Sequence, residues 1–134
     1  MIPQQVLDRK GTVRLVSATR EHTNRPLDPL SVVNLGPGMA IITGFGFRFG
    51  DKPIVVEQYL ELQPGAAQEL PAFGTWQGAL SEEQYKLFVH AQRDTDIGSH
   101  ALYLVRVEVG DGVVELVASC RIRGDEDRLW PVSE

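Results

Sequence analysis

The sequence holds a single cysteine, Cys120, so no disulfide can form within the chain. Folding must therefore rest on a buried core, which 134 residues are enough to build without metal or disulfide staples. Long apolar runs are also missing, and nothing approaches the ~20 residues of a membrane-spanning helix. The first residues, Met1-Ile-Pro-Gln-Gln, lack the basic and apolar regions of a signal peptide, so the expected compartment is cytoplasmic. Positive charge is scarce: 13 Lys and Arg stand against 18 Asp and Glu, a formal net charge of -5. No global field then draws the chain to nucleic acid or to an anionic membrane, and neither is an expected partner.

Chemical motifs are lacking in the same way. There is no G-x-S-x-G elbow and no pair of carboxylates in a recognisable catalytic frame, so the chain is read as non-enzymatic. The glycine-rich run Gly44-Phe-Gly46-Phe-Arg48-Phe49-Gly50 has neither the Lys-Ser/Thr nor the strand-to-helix setting of a phosphate-binding loop. His22, His90 and His100, with Asp94 and Asp96, show no metal-ligand spacing, so no metal or other cofactor is expected. The stretch from Arg93 to Gly98 is read as a turn that lacks the carboxylate density of a calcium loop. Arg123-Gly124-Asp125 spells an integrin-binding tripeptide but is read as a polar turn ending a strand. Cys120 lies on the apolar parity of its strand and is expected to be buried, not reactive.

What the chain does contain is period-two alternation. Ala101 to Gly110 and Val113 to Ile122 read as the arms of a hairpin around Asp111-Gly112, a dipeptide suited to a two-residue loop. That loop sets Val109 opposite Val114, Val107 opposite Leu116, Val105 opposite Ala118, Tyr103 opposite Cys120 and Ala101 opposite Ile122, all on one face. The other face carries Leu102, Leu104, Arg106, Glu108, Glu115, Val117, Ser119 and Arg121. A two-residue slip would preserve these faces, so the pattern fixes the buried side and not the register.

Further strands follow by the same logic. Gln5 to Val16 reads as a hairpin or bent strand turning at Lys10-Gly11, and Leu30 to Leu35 as a short β-branched strand that the breaker Gly36-Pro37-Gly38 joins to Met39–Phe49 in a second hairpin. Met39 to Phe49 alternates Met39, Ile41, Phe45, Phe47 and Phe49 on one face, with Gly44 and Gly46 marking a bulge, a bend or a close approach. Ile54, Val56, Leu60 and Leu62 share one parity of the next strand, and Pro64-Gly65 fits the centre of a type II turn. Ser81 to Arg93 is ambiguous: Ser81 and Gln84 match a capping box, and the expectation is a short helical turn followed by a strand. The polar stretch from Ser17 to Pro29, with two prolines, is a loop longer than packing alone needs.

The segments Ser31-Val-Val-Asn34-Leu-Gly36, Ala40-Ile-Ile-Thr-Gly44-Phe and Leu62-Gln-Pro-Gly65 resemble bacterial immunoglobulin-like or fibronectin-like modules. In those modules a strand ending Asn-x-Gly precedes a strand with a Thr, and a Pro-Gly turn follows. The resemblance rests on turn signals in part of the chain, and it implies a binding or scaffolding module without an active site. The Cys…Trp…Cys core of antibody domains is absent.

The expected fold is thus a single all-β domain over residues 1–134, an immunoglobulin-like antiparallel sandwich of about seven to nine strands with at most one short helix. The expected function is a protein-interaction or assembly module, an oligomeric structural component of a larger complex. Its candidate contact residues are Arg20, His22 and Arg25 in the long loop, Phe45, Phe47 and Arg48 in the phenylalanine strand, and Leu129 and Trp130 in the C-terminal tail. The tail either docks on its own sandwich or enters a neighbouring subunit. The alternative is a small-ligand or carbohydrate-binding sandwich with Trp76, Phe73 or Tyr59 as an aromatic platform, and a small hydrolase is a distant third.

Overall fold

In a computed structural model of the chain, residues 5–17, 30–71, 73–94, 100–110, 112–122 and 129–131 are described. The loop holding Arg20, His22 and Arg25 lies outside them, as do residues 95–99 and the Arg123-Gly124-Asp125 tripeptide. The elements run β1 (Gln5–Lys10), β2 (Val13–Ser17), β3 (Leu30–Asn34), β4 (Ala40–Phe49), β5 (Lys52–Leu62), β6 (Ala67–Glu69), α1 (Phe73–Gly78), α2 (Glu82–Asp94), β7 (His100–Val109), β8 (Gly112–Ile122) and β9 (Leu129–Pro131). They form two antiparallel sheets, one of four strands in the order β1-β2-β3-β6 and one of five in the order β5-β4-β7-β8-β9, so β3 and β4 lie in different sheets and are not the hairpin their sequence suggests. The fold is an all-β sandwich.

Its core is the set of inward side chains that alternation places there. Val13, Leu15, Leu30 and Val32 of the four-stranded sheet meet Ile42, Phe45, Phe47, Val105, Val107 and Leu116 of the five-stranded one in a single buried cluster. Burying a side chain of this size contributes roughly 1.5–3 kcal/mol. The buried face of the β7–β8 hairpin is the one expected, but its register is slipped by two residues: Val107 faces Val114, Tyr103 faces Ala118 and Ala101 faces Cys120. The pairing of Val109 with Gly112 makes Gly110 the first loop residue, with a φ of 60°. The β1–β2 hairpin does the same, with Gly11 at φ 60° between the paired Lys10 and Val13. Both loops thus open on a glycine that takes up a positive φ, and in the β1–β2 loop, where Thr12 has none, that is the pattern of a type II′ turn. An X-Gly loop of type I′ would ask a second, side-chain-bearing residue to do likewise.

A second difference concerns β4. Ala40 and Ile42 point inward together with Phe45, Phe47 and Phe49, while Met39 is exposed and Ile41 half-buried. The register shifts between Ile42 and Gly44, and this bulge at Thr43 reverses the parity of the strand.

Between β6 and β7 the chain forms two helices where at most one short one was expected. Ser81 and Gln84 form the capping box: Gln84 N–H donates to Ser81 Oγ at 3.1 Å and Ser81 N–H donates to Gln84 Oε1 at 3.0 Å. The helix then continues through 13 residues in place of the strand expected before Arg93, because Phe88 and Ala91, three apart, bury one stripe. The six-residue α1 likewise buries Phe73 and Trp76. The α1 rings pack on Phe47, whose centroid lies 4.7 Å from Trp76 and, on its β7 side, 4.9 Å from Tyr103 in edge-to-face geometry, and Phe88 of α2 packs on Trp76 and Phe49.

Candidate functional site

All four strand edges of the sandwich are blunted, which bears on where a partner could attach. β6 and β9 span three residues each, and Pro131 of β9 cannot complete a ladder. β1 is bulged between Val6 and Asp8, and the Asp8 carboxylate turns to β8, accepting the Val117 N–H at 2.8 Å and the Lys10 ammonium at 3.1 Å. β5 begins with Pro53 near its start, and α2 covers its edge through Gln84, whose Nε2 donates to the Val55 carbonyl at 2.9 Å.

The candidate contact residues divide accordingly. Phe45 is 3% exposed and Phe47 0%, so both rings belong to the core and neither is on the surface where a partner would meet it. The alternation that marked them as a stripe is the alternation of an inward face. Trp76 and Phe73 are buried in the same cluster and form no platform, and the Trp76 indole Nε1–H is buried without a hydrogen-bond partner among the described residues. Leu129 and Trp130 lie in β9, whose backbone pairs with Arg121 and Ile122 of β8 in the same chain. The tail therefore docks in cis. Cys120 is buried, with its Sγ 3.5 Å from the Ala101 carbonyl.

Among the members of that set whose side chains are described, Arg48 faces outward. Its guanidinium Nη2 donates to Glu115 Oε1 at 3.0 Å, and Arg106 Nε donates to Glu115 Oε2 at 3.3 Å. Arg48 sits in the row Arg48–Leu102–Ser119 and Glu115 in the row Gly44–Arg106–Glu115, so their bond passes diagonally over the row Gly46–Leu104–Val117 between them. Leu104 is on this outer face, yet 0% exposed.

Beside this network lies a cleft of about 430 Å³ lined by Thr43, Val55, Glu57, Gln58, Tyr59 and Arg106. Its origin is a fan in the ladder. Between Val107 and Arg106 β7 has no extra residue; opposite that step β4 inserts Thr43, and opposite Thr43 β5 places both Gln58 and Tyr59 before Leu60. Bulges of this kind re-aim side chains. Thr43 Oγ1 donates to the Arg106 carbonyl at 3.3 Å and fastens the fan on its β7 side. Tyr59 stands 65% exposed at the rim, and Gly44 leaves Val55 its place in the wall, since a Cβ there would come 2.8 Å from Val55 Cγ1.

No protein-family model matches the chain, and neither the curated proteins nor the solved structures give a match. The functional reading therefore rests on the geometry.

Sequence reasoning singled out Arg48 and Tyr59 but missed Thr43, Gln58 and Arg106 as a group. These come together only through bulges, and a bulge leaves no signal in a single sequence beyond the strand glycines nearby. Among the described residues no group of three or more His, Cys, Asp or Glu could hold a metal ion, and no helix is long and apolar enough to cross a membrane.

Proposed function

We propose that the protein is a non-catalytic binding module whose site is the bulge-built cleft on the outer face of the five-stranded sheet, and that it takes a small polar ligand. The carrying observation is the cleft's lining: one exposed aromatic ring, hydrogen-bonding groups of both senses, and a volume within the ~300–1,000 Å³ usual for ligand sites. One carboxylate lines it, with no histidine or cysteine, which supports recognition over chemistry. The blunted edges argue in the same direction, because a partner strand finds few free backbone groups to pair with. A fragment screen followed by backbone amide NMR tests this reading. Hits that shift Thr43, Gln58, Tyr59 and Arg106 support it, and hits that cluster elsewhere reject it.

A second reading, an assembly module, has its own observation. The turns between β1 and β2, β3 and β4, β5 and β6, and β7 and β8 gather at one end of the sandwich, where Leu35 is 52%, Met39 45% and Val113 62% exposed. Exposed apolar side chains brought together by four turns suit a contact between subunits. Light scattering across a concentration series tests it: a mass that falls to monomer on replacing all three with Ser supports assembly through this end, and a monomer throughout removes it.

A further inference from the structure

The composition of the cleft narrows what it can hold. Arg106 is already engaged by Glu115, which Arg48 also neutralises, and the opposite wall carries Glu57 with Glu61 beyond Tyr59. A free anion therefore meets a cation whose charge is shared and two carboxylates that repel it. An apolar ligand finds only Val55 and the Tyr59 ring. With Glu57 on one wall and Arg106 on the other, the lining suits a ligand of no net charge that offers both hydrogen-bond donors and acceptors beside one apolar face, and a compound dense in hydroxyl groups does so.

We infer that the cleft is a site for a neutral pyranose saccharide; the inference rests on the binding reading above and names its ligand. The Tyr59 ring supplies the face on which the C–H side of a sugar ring stacks. The guanidinium nitrogens that Arg106 does not use toward Glu115 donate to one hydroxyl, and the Glu57 carboxylate accepts from its neighbour, the two-sense pattern that a vicinal diol satisfies. Gln58, with donor and acceptor on one amide, serves either sense. Glu57, Gln58 and Tyr59 are all exposed, so the rim is open and the rest of a longer glycan remains in solvent.

The test is NMR titration of the full chain with three probe sets: methyl pyranosides of glucose, galactose and mannose; glucuronate; and capped tetrapeptides of mixed sequence. The expected result is saturable shifts of the Thr43, Gln58, Tyr59 and Arg106 amides with at least one methyl pyranoside. Tyr59→Ala weakens that binding by about tenfold or more, and Tyr59→Trp preserves it, as a stacking surface requires. Tyr59 is exposed, so neither substitution disturbs the core, and unchanged amide dispersion elsewhere verifies the fold. Shifts at the cleft with peptides or glucuronate but with no pyranoside overturn the saccharide assignment while leaving the cleft as the binding site. Shifts with a pyranoside that Tyr59→Ala leaves unaltered overturn the assignment as well. No shift at the cleft with any probe overturns both readings.

Discussion

The side-chain amide of Asn34 donates to the Leu62 carbonyl at 2.9 Å and so ties the end of β3 in one sheet to the end of β5 in the other. The same residue, 1% exposed, donates to the Gly38 carbonyl at 2.8 Å and accepts the Gly36 N–H at 3.0 Å. Its backbone carbonyl accepts the Gly65 N–H at 2.7 Å, within the Pro64-Gly65 turn. One buried side chain thus organises two turns and both sheets. Removing it leaves the buried Leu62 carbonyl and Gly36 N–H without their partner, each costing roughly 1–3 kcal/mol, and the part-buried Gly38 carbonyl loses its bond as well. Asn34→Ala is expected to lose on the order of 2–4 kcal/mol in urea unfolding. Asn34→Asp should fare no better, since it loses the donors and sets a carboxylate against two carbonyl oxygens. A cost near that of an ordinary surface substitution would show that the node is incidental.

Much of this arrangement is legible in the residues and some is not. The Asn34-Leu-Gly36 and Pro64-Gly65 signals are local, and Gly65 with φ 80° and the Ala66 N–H bonded to the Gln63 carbonyl is the type II turn they imply. Faces were readable wherever side chains alternate without interruption, as along β7 and β8. Register was not, because Asp111-Gly112 and Gly110-Asp111 are both acceptable loops locally and only the backbone geometry separates them. Met39 and Ile41 share the parity of Phe45, Phe47 and Phe49 along the sequence, and the bulge at Thr43 breaks that parity between two stretches that each alternate on their own. The helix over 82–94 was half-hidden, since Tyr85, Leu87, Val89 and Ala91 alternate as a strand would, and the burial of Phe88 by Trp76 and Phe49 decides it. The cleft was the least visible part, being a property of three strands at once.

Gly46 is required by backbone, not by a turn. A Cβ there would overlap the Ile54 carbonyl oxygen and stand 2.9 Å from Val55 Cα, and neither is the movable end of a side chain. Gly46→Ala is therefore expected to destabilise by about 2–3 kcal/mol, at the upper end of overpacking. Gly38 offers the contrast, because a Cβ there meets nothing within 4 Å. Gly38→Ala should be neutral or stabilising by up to about 1 kcal/mol, through the unfolded chain. Thermal unfolding of the two variants side by side checks the difference, and equal midpoints would contradict it.

Asp8 closes the open edge of β8, where β9 covers only Cys120 to Ile122. Asp8→Ala leaves the Val117 N–H without this acceptor, a loss of about 1–3 kcal/mol if that amide finds no other partner. The specific readout is hydrogen exchange: the Val117 amide should exchange markedly faster in Asp8→Ala, with amides of the β4–β7 ladder unchanged. Lys10 is the lesser partner, its side chain 47% exposed, so Lys10→Ala should cost no more than about 1 kcal/mol. Unchanged Val117 exchange in Asp8→Ala would show that the clasp does not hold the edge.

Gln84 serves both the helix cap and the β5 edge, which makes its two roles separable. Ser81→Ala removes only a cap bond and should cost ~1 kcal/mol. Gln84→Ala should cost more, because the bond to the Val55 carbonyl is lost with it. Gln84→Glu keeps an acceptor for the Ser81 N–H, in a first turn that favours negative charge, but cannot donate to Val55. It should therefore retain helicity by circular dichroism while losing protection along β5. A Gln84→Glu variant indistinguishable from wild type in β5 exchange would mean that the helix covers the strand without this bond.

The Arg48–Glu115 bond is exposed enough for charge to contribute little, each side chain being 35% accessible. Exposed pairs contribute about 0–1 kcal/mol and are screened by salt, so Glu115→Gln should be mild and milder still at high ionic strength. Packing is another matter, since the bond crosses the row that holds Leu104 and the aliphatic stem of an arginine covers apolar surface. Leu104→Ala is expected to cost roughly 2–5 kcal/mol, the range for a buried leucine. Arg48→Met keeps the stem and discards the charge, so it should stay within about 0.5 kcal/mol of wild type. Arg48→Ala discards both and should lose at least about 1 kcal/mol through the exposure of Leu104. If the methionine variant is as unstable as the alanine one, charge and not cover is what Arg48 contributes, and the outer face is held by electrostatics after all.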